Sequence, residues 1–301
     1  MPDRHDEPLD ALRTPVTPLA PDPGFASALR HRLMQATNPP TRKEPSVSTN
    51  VSNRPRNGVH HGDVSYITLS VPDLARGQAF YGHVLGWRFS PGSGRHGAQV
   101  DDVVPMIGMW DGDQPDGGTV GGAVLGFRVD DINAAVAAVR AHGGVVNDPH
   151  REPYAIAAEG RDNQGIPFYL HEMPSPESRP DTGHPWNGEI EGDISYLTMV
   201  APDLGAAQTF YGAVVGWTFN TGRAGGAQVN GVAPQIGITT RPEAGPATPG
   251  VIMCYRVDDL AAAAHRVRDA GGRANEITRR PYGLESLCAD DQDIPFYLHQ
   301  F

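Results

Sequence analysis

The sequence predicts an α+β fold built twice in tandem. Three observations point there. The phrase IPFYLH occurs at 166–171 and again at 294–299. Longer segments return in the same order: DVSYITLSVPDLARGQAFYGHVLGWRF at 63–89 returns as DISYLTMVAPDLGAAQTFYGAVVGWTF at 193–219. GAQV at 97–100 returns at 226–229, and FRVDDINAAVAAVRAHGG returns as YRVDDLAAAAHRVRDAGG. Finally, the hydrophobic period switches from two to 3.6 and back twice within each copy, which reads as a strand, a helix and three strands, repeated.

The elements of the first copy follow in order. SYITLSV alternates and is rich in β-branched residues, the pattern of a strand. Pro72 and Asp73 open a helix, with Asp73 or its neighbour as the cap. Leu74, Phe80, Tyr81 and Leu85 fall near helical spacing, and Gly86 ends the run. Short strands are expected at 87–90, 98–100 and 105–110. AVLGFRV is the next strand. Asp130 and Asp131 cap the helix INAAVAAVRAHGG, which stops at paired glycines. VVNDPH, AIAAEG and IPFYLHEM then read as strands. Each copy is therefore two βαβββ modules, taken to pair within the copy. The domains are set at 62–173 and 191–301, joined by the Pro-rich linker 174–190. Residues 1–61 form an N-terminal segment. It holds one amphipathic helix at about 22–36, with Phe25, Leu29 and Leu33 on one stripe. A disordered stretch at 37–61 follows, and the adjacent His60 and His61 there read as incidental.

Composition narrows the function. At 39% hydrophobic residues a packed core is feasible, and no apolar run is long enough to span a bilayer. The start of the chain lacks the apolar segment of a signal peptide, so a cytoplasmic protein that avoids membranes is expected. Residues 1–60 carry +2 and the remainder −13 of the net −11. An acidic body repels phosphate backbones and argues against nucleic acid. Lys43 is the only lysine and lies in the N-terminal segment, which removes lysine Schiff-base chemistry from either domain. Cys254 and Cys288 form no CxxC pair and read as free buried thiols.

DLARGQAFYGHVLGW and DLGAAQTFYGAVVGW resemble the signature helix of the vicinal oxygen chelate (glyoxalase/bleomycin resistance/extradiol dioxygenase) superfamily. FRVDDINAAVAAVRAHGG resembles its second helix. RDNQGIPFYL and DDQDIPFYL resemble its closing strand, where DPDGNxxEL is usual. The resemblance implies tandem glyoxalase/bleomycin-resistance-type domains, each a cup-like mixed sheet with helices outside. It also implies a divalent metal, when one is present, held on the first, fourth, fifth and last strands. At those positions this chain has Tyr66 and Tyr196, no acidic residue in PMIGMW or PQIGIT, Val124 and Ile252, and Tyr169 and Tyr297. A phenol with pKa near ~10 stays protonated at neutral pH and neutralises a dication poorly. The remaining donors, His171, Glu159 and Glu285, are scattered and unmatched between copies. Metal-free cups are expected, with a divalent metal as the alternative.

Strand alternation names the lining. In the first copy Tyr66, Thr68, Val124, Arg128, Tyr169 and His171 share the inner face, with Trp110 a further candidate. In the second, the inner face takes Tyr196, Thr198, Ile252, Cys254, Arg256, Tyr297 and His299. The tyrosines could instead fill the cups. Arg128 and Arg256, beside VDD, could simply pair with those aspartates, and Gln99 and Gln228 could face the cup or sit in plain strand. Such a lining suits an aromatic or apolar small molecule, sequestered or carried. The alternative is a lyase, isomerase or dioxygenase-type enzyme of the same superfamily. It would use Tyr66/Tyr169 or Tyr196/Tyr297 as acid and His171 or His299 as base. A protein partner on the N-terminal helix and a homodimer both remain open.

Overall fold

The computed structural model describes residues 60–92, 94–112, 122–173, 188, 190–222, 225–241 and 249–301. The expected N-terminal helix and most of the Pro-rich linker lie outside the described residues.

In the first domain the elements are β1 (Val64–Ser70), α1 (Leu74–Leu85), β2 (Phe89–Pro91), β3 (Gly97–Val100) and β4 (Met106–Trp110). The second module holds β5 (Gly122–Arg128), α2 (Ile132–Ala141), β6 (Val145–Val146), β7 (His150–Arg151), β8 (Ile156–Arg161) and β9 (Pro167–Glu172). The second domain repeats the plan with β10 (Ile194–Val200), α3 (Leu204–Val215), β11 (Phe219–Thr221), β12 (Ala227–Val229) and β13 (Ile236–Thr239). It closes with β14 (Gly250–Arg256), α4 (Leu260–Asp269), β15 (Arg273–Ala274), β16 (Thr278–Arg280), β17 (Gly283–Ala289) and β18 (Pro295–Gln300). One expected strand differs: VVNDPH splits into β6 and β7 around Asn147–Pro149, because Pro149 cannot donate to a ladder.

The modules pair within each domain. β1 runs antiparallel to β5 and parallel to β4; β5 runs parallel to β9. The first sheet is ordered β2–β3–β4–β1–β5–β9–β8, with β6 and β7 both on β8. The second sheet has the same order, and β14 touches β5 at Val251 and Ala123.

Helix starts follow the sequence. Asp73, Asp131, Asp203 and Asp259 are N-caps, each accepting from the amide three residues on. Gly86 and Gly216 close α1 and α3 in the left-handed conformation that glycine adopts without strain.

The helices also join the two domains. Phe80 of α1 packs on Phe296 of β18, and Tyr81 on Tyr255 of β14. The mirror contacts are Phe210 on Phe168 and Tyr211 on Phe127. Trp87 Nε1 donates to Gly192 O at 3.0 Å, and Trp217 Nε1 to Gly62 O at 2.8 Å. The buried residues of both domains form one contiguous core on this side. The opposite faces of the two sheets are left for the sites.

Candidate functional site

Register places the inner-face residues. Paired residues on neighbouring strands point the same way. One row across the first cup is Met106, Tyr66, Gly126, Tyr169 and Glu159. The matching row in the second cup has Tyr196, Cys254, Tyr297 and Leu287. A register shift between Val64 and Tyr66, repeated between Ile194 and Tyr196, precedes each row.

The tyrosine of β1 is held the same way in both cups. Tyr66 Oη donates to Gln99 Oε1 at 3.3 Å, and Tyr196 Oη donates to Gln228 Oε1 at 2.8 Å. Each glutamine is in turn fixed by donating Nε2 to a backbone carbonyl, Ile107 O at 2.8 Å or Ile236 O at 2.9 Å. The ring lies over Gly108 or Gly237, where a Cβ would collide with the phenol oxygen. The phenol hydrogen is thereby committed to the glutamine. Burial, then repulsion from Tyr154, pushes the Tyr66 phenol up to about 12.

The histidines of the last strands diverge. In the first cup Ser65 Oγ donates to Gly126 O at 3.1 Å and lies 3.1 Å from His171 Nδ1. The hydroxyl hydrogen is used, so His171 carries its proton on Nδ1. Its ring sits over Gly126, where a Cβ would press on Cε1. In the second cup that place holds Cys254; Ser195 Oγ donates to Cys254 O at 3.2 Å and lies 3.4 Å from its Sγ. His299 turns away and its Nε2 meets Tyr282 O at 3.2 Å. A carbonyl only accepts, so His299 carries its proton on Nε2. Burial lowers its pKa, which keeps it neutral near pH 7. Burial likewise pushes the Cys254 thiol up to about 12, which leaves it protonated and unreactive.

Among the described residues, an inward carboxylate stands in each cup wall, at different heights. Glu159 faces the first cup beside Tyr169; its carboxylate accepts from Asn147 Nδ2 and lies 3.3 Å from His150 Nε2. Glu285 faces the second cup beside His299. Its Oε2 accepts from Tyr282 Oη at 2.8 Å and its Oε1 lies 3.3 Å from Arg280 Nε.

The second cup encloses a cavity of about 630 Å³. Of the residues the sequence pointed to, Tyr196, Thr198, Cys254, Tyr297 and His299 line it together. Both tyrosines therefore wall the cup rather than fill it. Ile252 lies beneath, packed with Val200, Cys254 and Tyr297. Arg256 pairs with Asp258 at 2.8 Å and sits 6.0 Å from the Phe301 ring, outside the lining. In the first cup Tyr66, Thr68, Val124, Tyr169 and His171 share one face by register. Trp110 packs edge-on to His96, 5.9 Å away. Arg128 is buried with Nε 3.7 Å from Asp130, and Nε makes no hydrogen bond. Both arginines thus take the pairing with the VDD aspartates.

The sequence reading left Gln99 and Gln228 undecided and missed Arg241, Arg280, Tyr282 and Phe301, all four of which line the second cavity. One signal was available: the paired tyrosines of REPY and RRPY, Tyr154 and Tyr282, recur at matched positions.

The donor set does not fit the dication that the superfamily resemblance implies. Tyr66 is protonated and bonded to Gln99, β4 and β13 bring no carboxylate, and Val124 and Ile252 are apolar. Among the described residues, no three His, Cys, Asp or Glu side chains gather into a group that could hold a metal.

Paired βαβββ modules, each pair curled around an inner face and the second pair holding a cavity, define a tandem two-domain protein of the vicinal oxygen chelate type. Comparison with known families agrees. Residues 63–168 match the Glyoxalase/Bleomycin resistance protein/Dioxygenase superfamily, and residues 196–299 match the Glyoxalase-like domain. The chain belongs to that superfamily. No curated protein sequence matches it. Similar solved structures include a catechol 2,3-dioxygenase at 15% identity and TM-score 0.55, covering 80% of this chain and 88% of that one. The 2,3-dioxygenase LapB from Pseudomonas sp. KL28 is 14% identical with TM-score 0.55, over 82% and 94% of the two chains. The Mn(II)-bound glyoxalase from Novosphingobium aromaticivorans is 18% identical with TM-score 0.56, over 79% and 82%. At these identities the likeness is one of fold.

Proposed function

We propose that the protein binds a small, largely aromatic molecule in its cups without a metal ion, the second cup being the better-formed site. The observation that carries this is the cavity of about 630 Å³ walled by Tyr196 and Tyr297, with Tyr196 latched to Gln228. That volume is within the range of small-molecule sites, roughly 300–1,000 Å³. Aromatic walls contribute about 0.5–1.5 kcal/mol per ring contact beyond area burial. The test is a thermal-shift screen of aromatic metabolites and antibiotics, repeated on Tyr66→Ala and Tyr196→Ala. Tyr196→Ala should weaken binding about tenfold, the loss of one well-made polar and aromatic contact, while circular dichroism stays native. Unchanged affinity in both variants would remove the cups as sites.

One observation favours a catalytic reading. Glu285 and His299 are register partners on adjacent strands facing the same cavity, with His299 neutral. Such a pair can relay a proton in a lyase or isomerase. The fold is also shared with the Mn(II)-bound glyoxalase. Elemental analysis after mild purification separates the readings: one bound divalent ion per domain would support a metalloenzyme and sink the metal-free reading.

A further inference from the structure

The wall of the second cup presents an imidazole with one nitrogen committed and one open. His299, near the end of β18, is 6% exposed and lines the cavity of about 630 Å³. Its Nε2 meets Tyr282 O at 3.2 Å, and a carbonyl only accepts, so the ring proton sits on Nε2. Nδ1 therefore carries a lone pair. Among the described residues that nitrogen has no hydrogen-bond partner. It is not sealed in the protein either: among the described residues the sealed, unpartnered side-chain atoms are Arg128 Nε and Asp291 Oδ1. An unsealed nitrogen on a ring more than nine-tenths buried, in the lining of a cavity, opens on that cavity.

The surroundings hold the ring in this role. It stands edge-on to Tyr282, 5.3 Å away, and to Phe301, 4.4 Å away. Flipping it would set a lone pair against Tyr282 O. Its register partner Glu285 is engaged elsewhere: Oε2 accepts from Tyr282 Oη at 2.8 Å, and Oε1 lies 3.3 Å from Arg280 Nε. Burial keeps the imidazole uncharged near neutral pH. At this point the wall accepts and does not donate. A ligand that covers Nδ1 without offering a hydrogen strips its water and leaves it unpaired, which is costly. A carbonyl or carboxylate placed there meets it lone pair to lone pair.

Resting on the binding function proposed above, we infer that the second cup takes a phenol: an aromatic molecule whose ring hydroxyl donates to His299 Nδ1. The aromatic body lies against Tyr297 in the same cavity.

The test uses the full chain and two probes, 2-naphthol and 2-methoxynaphthalene, which differ in the donor hydrogen. Titrations are followed by NMR at the ring signals of Tyr297, so that the second cup alone is read. 2-Naphthol should bind about tenfold more tightly than the ether, the effect of one well-made hydrogen bond. His299→Phe should bring the two probes to equal affinity. A second measurement needs no variant: in the unmutated chain, 2-naphthol should move the Nδ1 nitrogen resonance of His299 upfield, and the ether should not. Equal affinity for the two probes, or an Nδ1 signal that stays put with the cup filled by 2-naphthol, overturns the inference and leaves the binding function standing. So does a preference that survives in a folded His299→Phe chain. If neither probe reaches Tyr297, the inference falls; if in addition every hit of the thermal-shift screen ignores Tyr196→Ala and Tyr66→Ala, the binding function falls with it.

Discussion

A single position decides how each cup uses its histidine. Gly126 leaves room for the His171 ring, and Cys254 takes that room in the other copy. Gly126→Cys should therefore turn His171 toward the arrangement of His299. The expected readout is a switch from the Nδ1–H to the Nε2–H tautomer in nitrogen NMR, with a stability loss of about 1–2 kcal/mol from overpacking. An unchanged tautomer would show that Ser65, not the glycine, sets the ring. His299 carries a pH prediction as well. Its folded pKa lies below the ordinary 6.5, so the unfolded chain binds more protons. Stability should fall as pH drops below about 6.5, the unperturbed imidazole value. His299→Gln should flatten that part of the melting-temperature profile, and an identical slope in the variant would deny the shift. The tyrosines of these rows were legible in the sequence, because alternation fixes which side of a strand a residue faces. Their glutamine partners were not, because a bond between strands depends on register, and a one-residue slip would have broken it.

At the scale of elements, the turn before each last strand does more than close a sheet. Asp290 Oδ1 accepts from Gln292 N and Ile294 N, and its Oδ2 accepts from Tyr81 Oη of the other domain at 3.2 Å. Asp162 holds Gln164 N, Ile166 N and Tyr211 Oη in the same way. Burial raises both carboxyl groups above their usual value although these donors lower them. The folded state holds these protons more tightly, so their contribution to stability falls as pH rises through the raised pKa. Asp290→Ala would orphan two buried amides and should cost about 2–4 kcal/mol in urea unfolding at pH 7. Asp290→Asn keeps an acceptor for both amides and should cost less than half as much; equal losses would mean the amides find other partners. In the sequence this turn was legible only as a family likeness. Its reach into the other domain was hidden, because an amphipathic helix shows which face is buried but not against which sheet.

At the scale of the whole described body, the repeats are two halves of one core. α1 presents Phe80 and Tyr81 to the sheet of the second domain, and α3 returns Phe210 and Tyr211 to the first. Trp87 and Trp217 each close the seam with a bond to the backbone opposite. Residues 60–301 should therefore unfold in urea as one transition. Trp87→Ala should lower that transition by about 3–5 kcal/mol, the cost of emptying a buried indole, without splitting it into two. The domain at 62–173 made alone is a sharper test. It would expose the aromatic face of α1 and the sheet residues Phe127 and Phe168 that α3 covers, a large apolar patch. It also carries both sides of the seam, since Phe127 and Phe168 are the repeat equivalents of Tyr255 and Phe296. Two copies of the fragment can thus rebuild the missing contacts on each other. Light scattering after size exclusion should find a folded dimer or an unfolded chain. A folded, cooperative monomer would mean that each repeat is stable without the other, and that the shared core is packing added to finished domains rather than the condition for either to fold.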